Sequence, residues 1–454
     1  MAHQEVFRVQ PLGWENDPAE ERFKVSTLDY LTACTYNNYA LFFRLEDVDK
    51  NRAVDVLKAG LERTLSQVRH LCGTIEKDPT GGHSFVKKKN SAVKFCVQWL
   101  DSPDICKDYP SFDEIEESNF RTSILGDLQR WSVPPMTYGE KPEAHPDNSP
   151  AVASYKANFI RGGLVFIMHH HHFSNDVMGW TGLTHQLAEN CYAIVHQTEF
   201  PSWDVRCLDL SRLTKPEVLE ELKVDGPPPP EIHPDHIPSQ SLLFHLPKNK
   251  AAEIKKLASP TDGTWISTYD AFSAFIWRTV TRLRAPTFKP DLLAPLFWAE
   301  AIDMRRRFHS PKVPPAYSAK RYCRSNVVHG TFPCPERSRS HLRVAAAKEA
   351  LDLALEMVAK VRDRTALNTR IDSLPPMSVL QTDHRGANVS SADFGFGSPV
   401  TYRHLMDCVT QGVFIIYPPR DLSPESNDGP EFSLAYEKSL KQALVEDPEV
   451  ESVL

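Results

Sequence analysis

Between Phe159 and Ile194 the chain reads FIRGGLVFIMHHHHFSNDVMGWTGLTHQLAENCYAI, and the eight residues His169 to Asp176 hold four histidines, a serine, an asparagine and a carboxylate. Imidazole exchanges protons near neutral pH and is also a good zinc ligand. On extended backbone side chains alternate, so His170 and His172 share one side and His169 and His171 the other. Asp176 lies four residues beyond His172, a spacing that lets its carboxylate brace the turn. These residues leave three readings open: an acid-base histidine, a metal centre and a structural histidine cluster. Metal binding lacks an HExxH pattern, and four consecutive histidines would have to turn alternate side chains back on themselves. Covalent serine hydrolysis lacks its GxSxG elbow, and nucleotide hydrolysis lacks a GxxxxGK[ST] loop. The GGL at Gly162 to Leu164 is too short for a dinucleotide fingerprint. Direct transfer between two bound substrates remains.

Such residues need a rigid mount. Leu164 to Met168 is a short apolar run opened by Gly162 and Gly163, which predicts a buried strand after a tight turn. Val177, Trp180, Leu183, Leu187, Cys191 and Ile194 recur at intervals of three and four, which predicts a helix packed along one face. A strand end that hands over to a helix holds side chains firmly while leaving them open to a cleft.

The remaining chain is long enough for two cores at 454 residues and 41% apolar. Its formal charge of -7, from 59 acidic and 52 basic side chains, gives no basic surplus for nucleic acid. The first thirty residues lack a basic start with an apolar core, and no run reaches eighteen apolar residues, so a soluble cytoplasmic protein with no membrane partner is expected. The nine cysteines are widely spaced with no CxxC pair and are read as reduced thiols.

Order is expected to begin at Val25, with a strand at 39–43, a helix over 47–65, a hairpin around the PTGG turn at 79–82 and strands at 93–100 and 151–159. Residues 101–150, broken by prolines, predict loops and short helices. The prolines of 206–238, including Pro227 to Pro230, predict an extended crossover. It separates a first domain, 1–205, from a second, 239–454. The second should contain strands at 240–244, 294–302, 412–417 and 432–435, with helices over 248–257, 267–283 and 340–364. The fold class is α/β in the α+β sense, with similar content in both halves.

The HHHHFSNDVMG segment and the later Asp393 to Gly397, DFGFG, resemble the HHxxxDG and DFGWG motifs of the BAHD superfamily of CoA-dependent acyltransferases. Val177 replaces the immediate glycine, Gly179 following two positions later, and Phe396 replaces tryptophan. The resemblance runs from about residue 25 to residue 440 and is nearest in appearance to the fungal trichothecene 3-O-acetyltransferase branch. It implies two similarly built domains with a central channel, entered by acyl-CoA from one face and a small-molecule alcohol from the other. It makes His172 the general base, and Asp176, with Gly179 beside it, a structural carboxylate paired with Arg305. Thr382 is the expected oxyanion support. Asp393, Phe394, Gly395, Phe396 and Gly397 would shape the channel or the CoA site. Acyl-CoA, with acetyl as the expected acyl group, is implied as cosubstrate, with no tightly bound cofactor, no metal and a monomeric state. An amine acceptor, or a non-catalytic binding role on the same scaffold, is the alternative.

Overall fold

A computed structural model describes residues 3–262, 265–291, 295–303, 321–329, 344–368, 370–406 and 409–454. In the first half the elements are β1 (His3–Val9), β2 (Glu20–Lys24), β3 (Tyr36–Arg44), α1 (Lys50–Gln67), β4 (Thr74–Lys77), β5 (His83–Lys88), β6 (Val93–Trp99), α2 (Phe112–Glu117), β7 (Ala153–Ile160), β8 (Gly163–His171) and α3 (Val177–His196). Order therefore begins well before Val25. His3–Val9 pairs antiparallel with β6 as a mostly exposed edge strand, so its polar residues give no buried alternation to read.

After residue 238 come β9 (Ser239–His245), α4 (Lys248–Ala258), α5 (Thr268–Phe288), β10 (Pro295–Asp303), β11 (Arg321–His329), α6 (Val344–Lys360), β12 (Val379–Asp383), β13 (Thr401–His404), β14 (Val413–Ile416), β15 (Glu431–Glu437), α7 (Lys441–Val445) and α8 (Pro448–Val453). The long α5 starts where the sequence has its cap: Ser267 and Asp270 form a reciprocal capping box.

Two six-stranded sheets result, ordered β1-β6-β7-β8-β3-β13 and β11-β10-β12-β14-β15-β9, with a small β2-β5-β4 sheet beside the first. Thr401–His404 falls within the 239–454 stretch yet adds to the first sheet antiparallel to β3, so that sheet is not built from 1–205 alone. The crossover holds only short 3-10 turns. It is tied down along its length: Arg364 grips Glu217 through two bonds of 2.7 Å, and Val224 exchanges backbone bonds with Lys360 and Arg362.

The central strand β8 is buried on both faces. Leu164, Phe166 and Met168 enter the main core with α1 and α3, while Val165 and Ile167 enter a second core with Phe112 and Trp131. This two-sided burial accounts for the unbroken apolar run ahead of the histidines. Helix α3 lies on that main core through Trp180, Leu183, Leu187 and Cys191, and Trp180 stacks on Tyr39 with ring centroids 4.3 Å apart. Among the described residues no helix is long and apolar enough to cross a membrane.

Candidate active site

The alternation of β8 carries on through the histidines and sorts them. His169 and His171 face the loop 132–149. His169 accepts the Val133 N–H at Nε2 (3.2 Å) and meets the Asn38 amide at Nδ1 (2.8 Å), while His171 donates from Nε2 to the Ala144 carbonyl (2.8 Å) and accepts the Phe173 N–H (3.1 Å). His170 faces the other way, between the Tyr155 hydroxyl (3.2 Å) and the Asn175 amide (3.1 Å). All six ring nitrogens thus have protein partners, and a metal ion would have to displace them. Burial holds each of these three imidazoles neutral, with its pKa lowered to about 3.

His172 is different. The strand has ended, its N–H donates to the Thr35 carbonyl (2.8 Å), and its ring is partly exposed while its three neighbours are fully buried. Its Nδ1 lies 3.3 Å from the Asn175 carbonyl. A carbonyl can only accept, so in the neutral ring the proton sits on Nδ1 and Nε2 carries the lone pair. That is the tautomer a general base requires. Asn175 therefore serves both sides of the motif, its carbonyl setting His172 and its amide holding His170. It was missed in the sequence because an asparagine in a turn ordinarily reads as turn chemistry alone.

Asp176 ends the turn as the N-cap of α3. It is 1% exposed, and its carboxylate accepts the Gly179 N–H at 2.8 Å. A cap of this kind contributes about 1 kcal/mol, and it fixes the helix start four residues from His172. Gly179 enters through its backbone. Arg305 lies outside the described residues.

The DFGFG loop is set apart from this chemistry. Asp393 accepts the Gly395 N–H (2.7 Å), Phe394 bonds back to Gly397 (3.0 Å), and Phe394 and Phe396 both pack on Phe43. Gly395 has φ +78, and a Cβ there would stand 2.8 Å from Val195 and 3.2 Å from the Tyr192 backbone. The loop thus clamps the far end of α3. Sixteen residues separate Tyr192 from Asp176, roughly 24 Å at the α-helical rise.

Thr382 is buried on β12, in register with Ala301 and Ile415. The loop that follows β12 reaches the histidine turn's helix: a Cβ on Gly386 would touch Met178 at 3.3 Å, and the Asn388 carbonyl meets His185 at 2.9 Å. At that same strand end a cavity of about 610 Å³ opens, lined among others by Lys248, Lys255, Lys256, Tyr269 and Arg385, beside the start of α5. Arg385 is held by Asp383 at 2.7 Å and lies over the Tyr269 ring at 4.8 Å. Lys255, Lys256 and Arg385 give this recess a cationic side, while the start of α5 is closed by its own Ser267–Asp270 box. The three lysines share helix α4 and Arg385 comes from the loop after β12, so the sequence shows the lysines together but not the arginine that joins them.

Residues 35–191 match the family described as the trichothecene 3-O-acetyltransferase-like N-terminal domain. The chain belongs to the BAHD superfamily of CoA-dependent acyltransferases. It is 62% identical to acetyltransferase FGR3 of Gibberella zeae over 99% of its own length and 93% of that protein. Its fold is similar to TRI101 of F. graminearum crystallised with ethyl coenzyme A, at a TM-score of 0.77, 19% identity, and 96% and 99% coverage of the two chains. The same protein crystallised with coenzyme A and deoxynivalenol superposes at 0.76, with 18% identity and 95% and 99% coverage. Mixed α/β architecture and acyl-CoA-dependent acyltransferase chemistry follow from that membership.

Proposed function

We propose that the protein acetylates a hydroxyl of a fungal secondary metabolite, taking the acyl group from acetyl-CoA in a ternary complex with His172 as general base. The observation that carries this reading is the placement of His172: the partly exposed member of the histidine run, with its Nδ1 3.3 Å from the Asn175 carbonyl. Nε2 takes the proton of the acceptor hydroxyl as the oxygen attacks the thioester carbonyl. A tetrahedral oxyanion forms, supported by Thr382 on this reading, and collapses by breaking the carbon–sulfur bond. The proton passes from the imidazolium to the leaving thiolate, which restores the base.

Asp176 keeps the base in place through its cap on α3, and we assign Arg305 as the partner of its carboxylate. The five residues of DFGFG act at a distance, holding α3 and thereby the channel's shape. The nucleotide end of CoA fits the recess of Lys248, Lys255, Lys256 and Arg385, because its phosphates are anionic. The division into 1–205, the 206–238 crossover and 239–454 is kept as the lobe assignment, with β13 reaching across. Cys34, Cys72, Cys96, Cys106, Cys191 and Cys207 are free thiols, which supports a reducing, cytoplasmic setting, and we assign the working unit as a monomer.

The recess is tested with the double variant Lys255→Ala, Lys256→Ala. Loss of two partly exposed charge contacts should raise the KM for acetyl-CoA about tenfold with kcat within twofold. The same variant should lose the preference for acetyl-CoA over its 3′-dephospho form. Unchanged KM for both donors would remove CoA from this recess.

A further inference from the structure

The parallel strands β12 and β14 have two ends, and the basic recess occupies one of them. Arg385 and Ile416 stand at their C-terminal ends, with Pro430 and Leu246 alongside. At the N-terminal ends, roughly 16 Å away along a five-residue strand, a different group collects. Thr410 and Gly412 precede β14, Ser378 precedes β12, and Ile371 packs beside them, its side chain 3.4 Å from a Cβ built on Gly412. Next to Ile371, Arg370 binds Asp372 at 2.8 and 2.9 Å and Glu140 at 2.6 Å. The Tyr138 hydroxyl meets the Thr410 hydroxyl at 3.2 Å, and its ring stands edge-on to His404, the last residue of β13.

Glu140 and Tyr138 belong to the loop 132–149, which is bonded at every stage to the histidine strand. Val133 donates to His169, Ala144 accepts from His171, and Gly139 exchanges two bonds, 2.8 and 2.9 Å, with the Thr35 hydroxyl. Thr35 in turn accepts the backbone N–H of His172. One end of β12 therefore reaches Met178 just past the base, and the other reaches Thr35 beneath it.

We propose that the loop 132–149, fastened to the second sheet by the Glu140–Arg370–Asp372 cluster and the Tyr138–Thr410 hydroxyl pair, is the wall of the acceptor mouth, with Glu140 as a positioning residue for a bulky alcohol. This rests on the acyltransfer reading above. With the donor's nucleotide end assigned to the basic end of β12 and β14, the opposite end, where Glu140, Arg370, Tyr138 and Thr410 meet, is the one assigned to a neutral acceptor. Asp372 is 3% exposed and accepts two bonds from Arg370, so the guanidinium is fixed from the second sheet and Glu140 is the member that holds the loop to it.

The test compares wild type, Glu140→Ala, Glu140→Gln and Arg370→Met with acetyl-CoA and the fastest acceptor in a panel of polycyclic alcohols that includes deoxynivalenol. Glu140→Ala and Arg370→Met should each raise the acceptor KM about tenfold, the loss of one charge-assisted bond. Glu140→Gln, which keeps a hydrogen bond to Arg370, should restore most of it. The KM for acetyl-CoA and the slow hydrolysis of acetyl-CoA by water should stay within twofold. An unchanged acceptor KM, or an equal rise in both KM values, overturns the wall while leaving acyl transfer intact. Failure of wild type to acylate any alcohol in the panel overturns the acyltransfer reading and the wall with it.

Discussion

His172→Ala should lower kcat by about 10³-fold, within the range that general-base catalysis supplies, while CoA binding and the thermal unfolding midpoint stay near wild type. The asymmetry comes from position. His172 is the partly exposed end of the run, and the bond it gives up to the Asn175 carbonyl is long, at 3.3 Å, so most of the cost falls on the chemistry. His171→Ala should behave in the opposite way: it strands the Ala144 carbonyl and the Phe173 N–H in a buried site, a cost of about 2–3 kcal/mol in stability. Asp176→Asn and Arg305→Ala, made singly and together, should give non-additive losses of kcat if the two side chains act as a pair. Turnover by a folded H172A protein near the wild-type rate would remove the base.

Lowering the pH from 7 to 5 should remove roughly 5–6 kcal/mol of stability, through the three buried histidines alone. Each has an ordinary value of 6.5 and is pulled down to about 3 by burial. The unfolded chain therefore takes up protons that the folded one does not, an excess that grows through this window toward three at pH 5. Stability is fully present above pH 6.5 and is lost as pH falls toward 3, at about 4 kcal/mol per pH unit near pH 5. His83 and His236 are also pulled down by burial and add to the loss in the same direction. Urea unfolding at pH 7, 6 and 5 measures it. His171→Gln should take away about one third of the share that the three fully buried rings contribute to the slope, since it removes one of three equal protonation differences. A stability that is flat from pH 7 to 5 would contradict neutral burial of these rings.

The strand, turn and helix around the histidines were legible because each obeys a local rule: a strand buried on both faces reads as an apolar run, and a helix on one core reads at intervals of three and four. The alternation of the histidines followed for the same reason. The cap at Ser267 and the hairpin at 79–82, where Lys77 pairs with His83, were local as well. What stayed hidden depends on distant partners. Val379–Asp383 is a strand whose Gln381 and Thr382 are buried, Gln381 being bonded to Ser273 at 2.8 Å, so its polarity concealed it. Thr401–His404 finds its neighbour at residues 39–42, more than 350 positions earlier. The basic recess and the Glu140–Arg370 contact likewise join segments that no window of sequence holds together. The role proposed for His172 comes from a motif, and the Asn175 carbonyl 3.3 Å from its Nδ1 is compatible with that role.

Direct transfer is tested most sharply by incubating chelator-treated protein with radiolabelled acetyl-CoA, first alone and then with an alcohol acceptor. None of the described cysteines lies in the histidine turn, and burial pushes the nearby Cys34 thiol up to about 12, which makes it a poor acyl carrier. The account predicts no stoichiometric label on the protein and no burst of CoA before acceptor is added, then ester and CoA appearing together at the untreated enzyme's rate. A labelled protein that passes its acetyl group to acceptor added later, or activity that returns only with a particular metal, would contradict it.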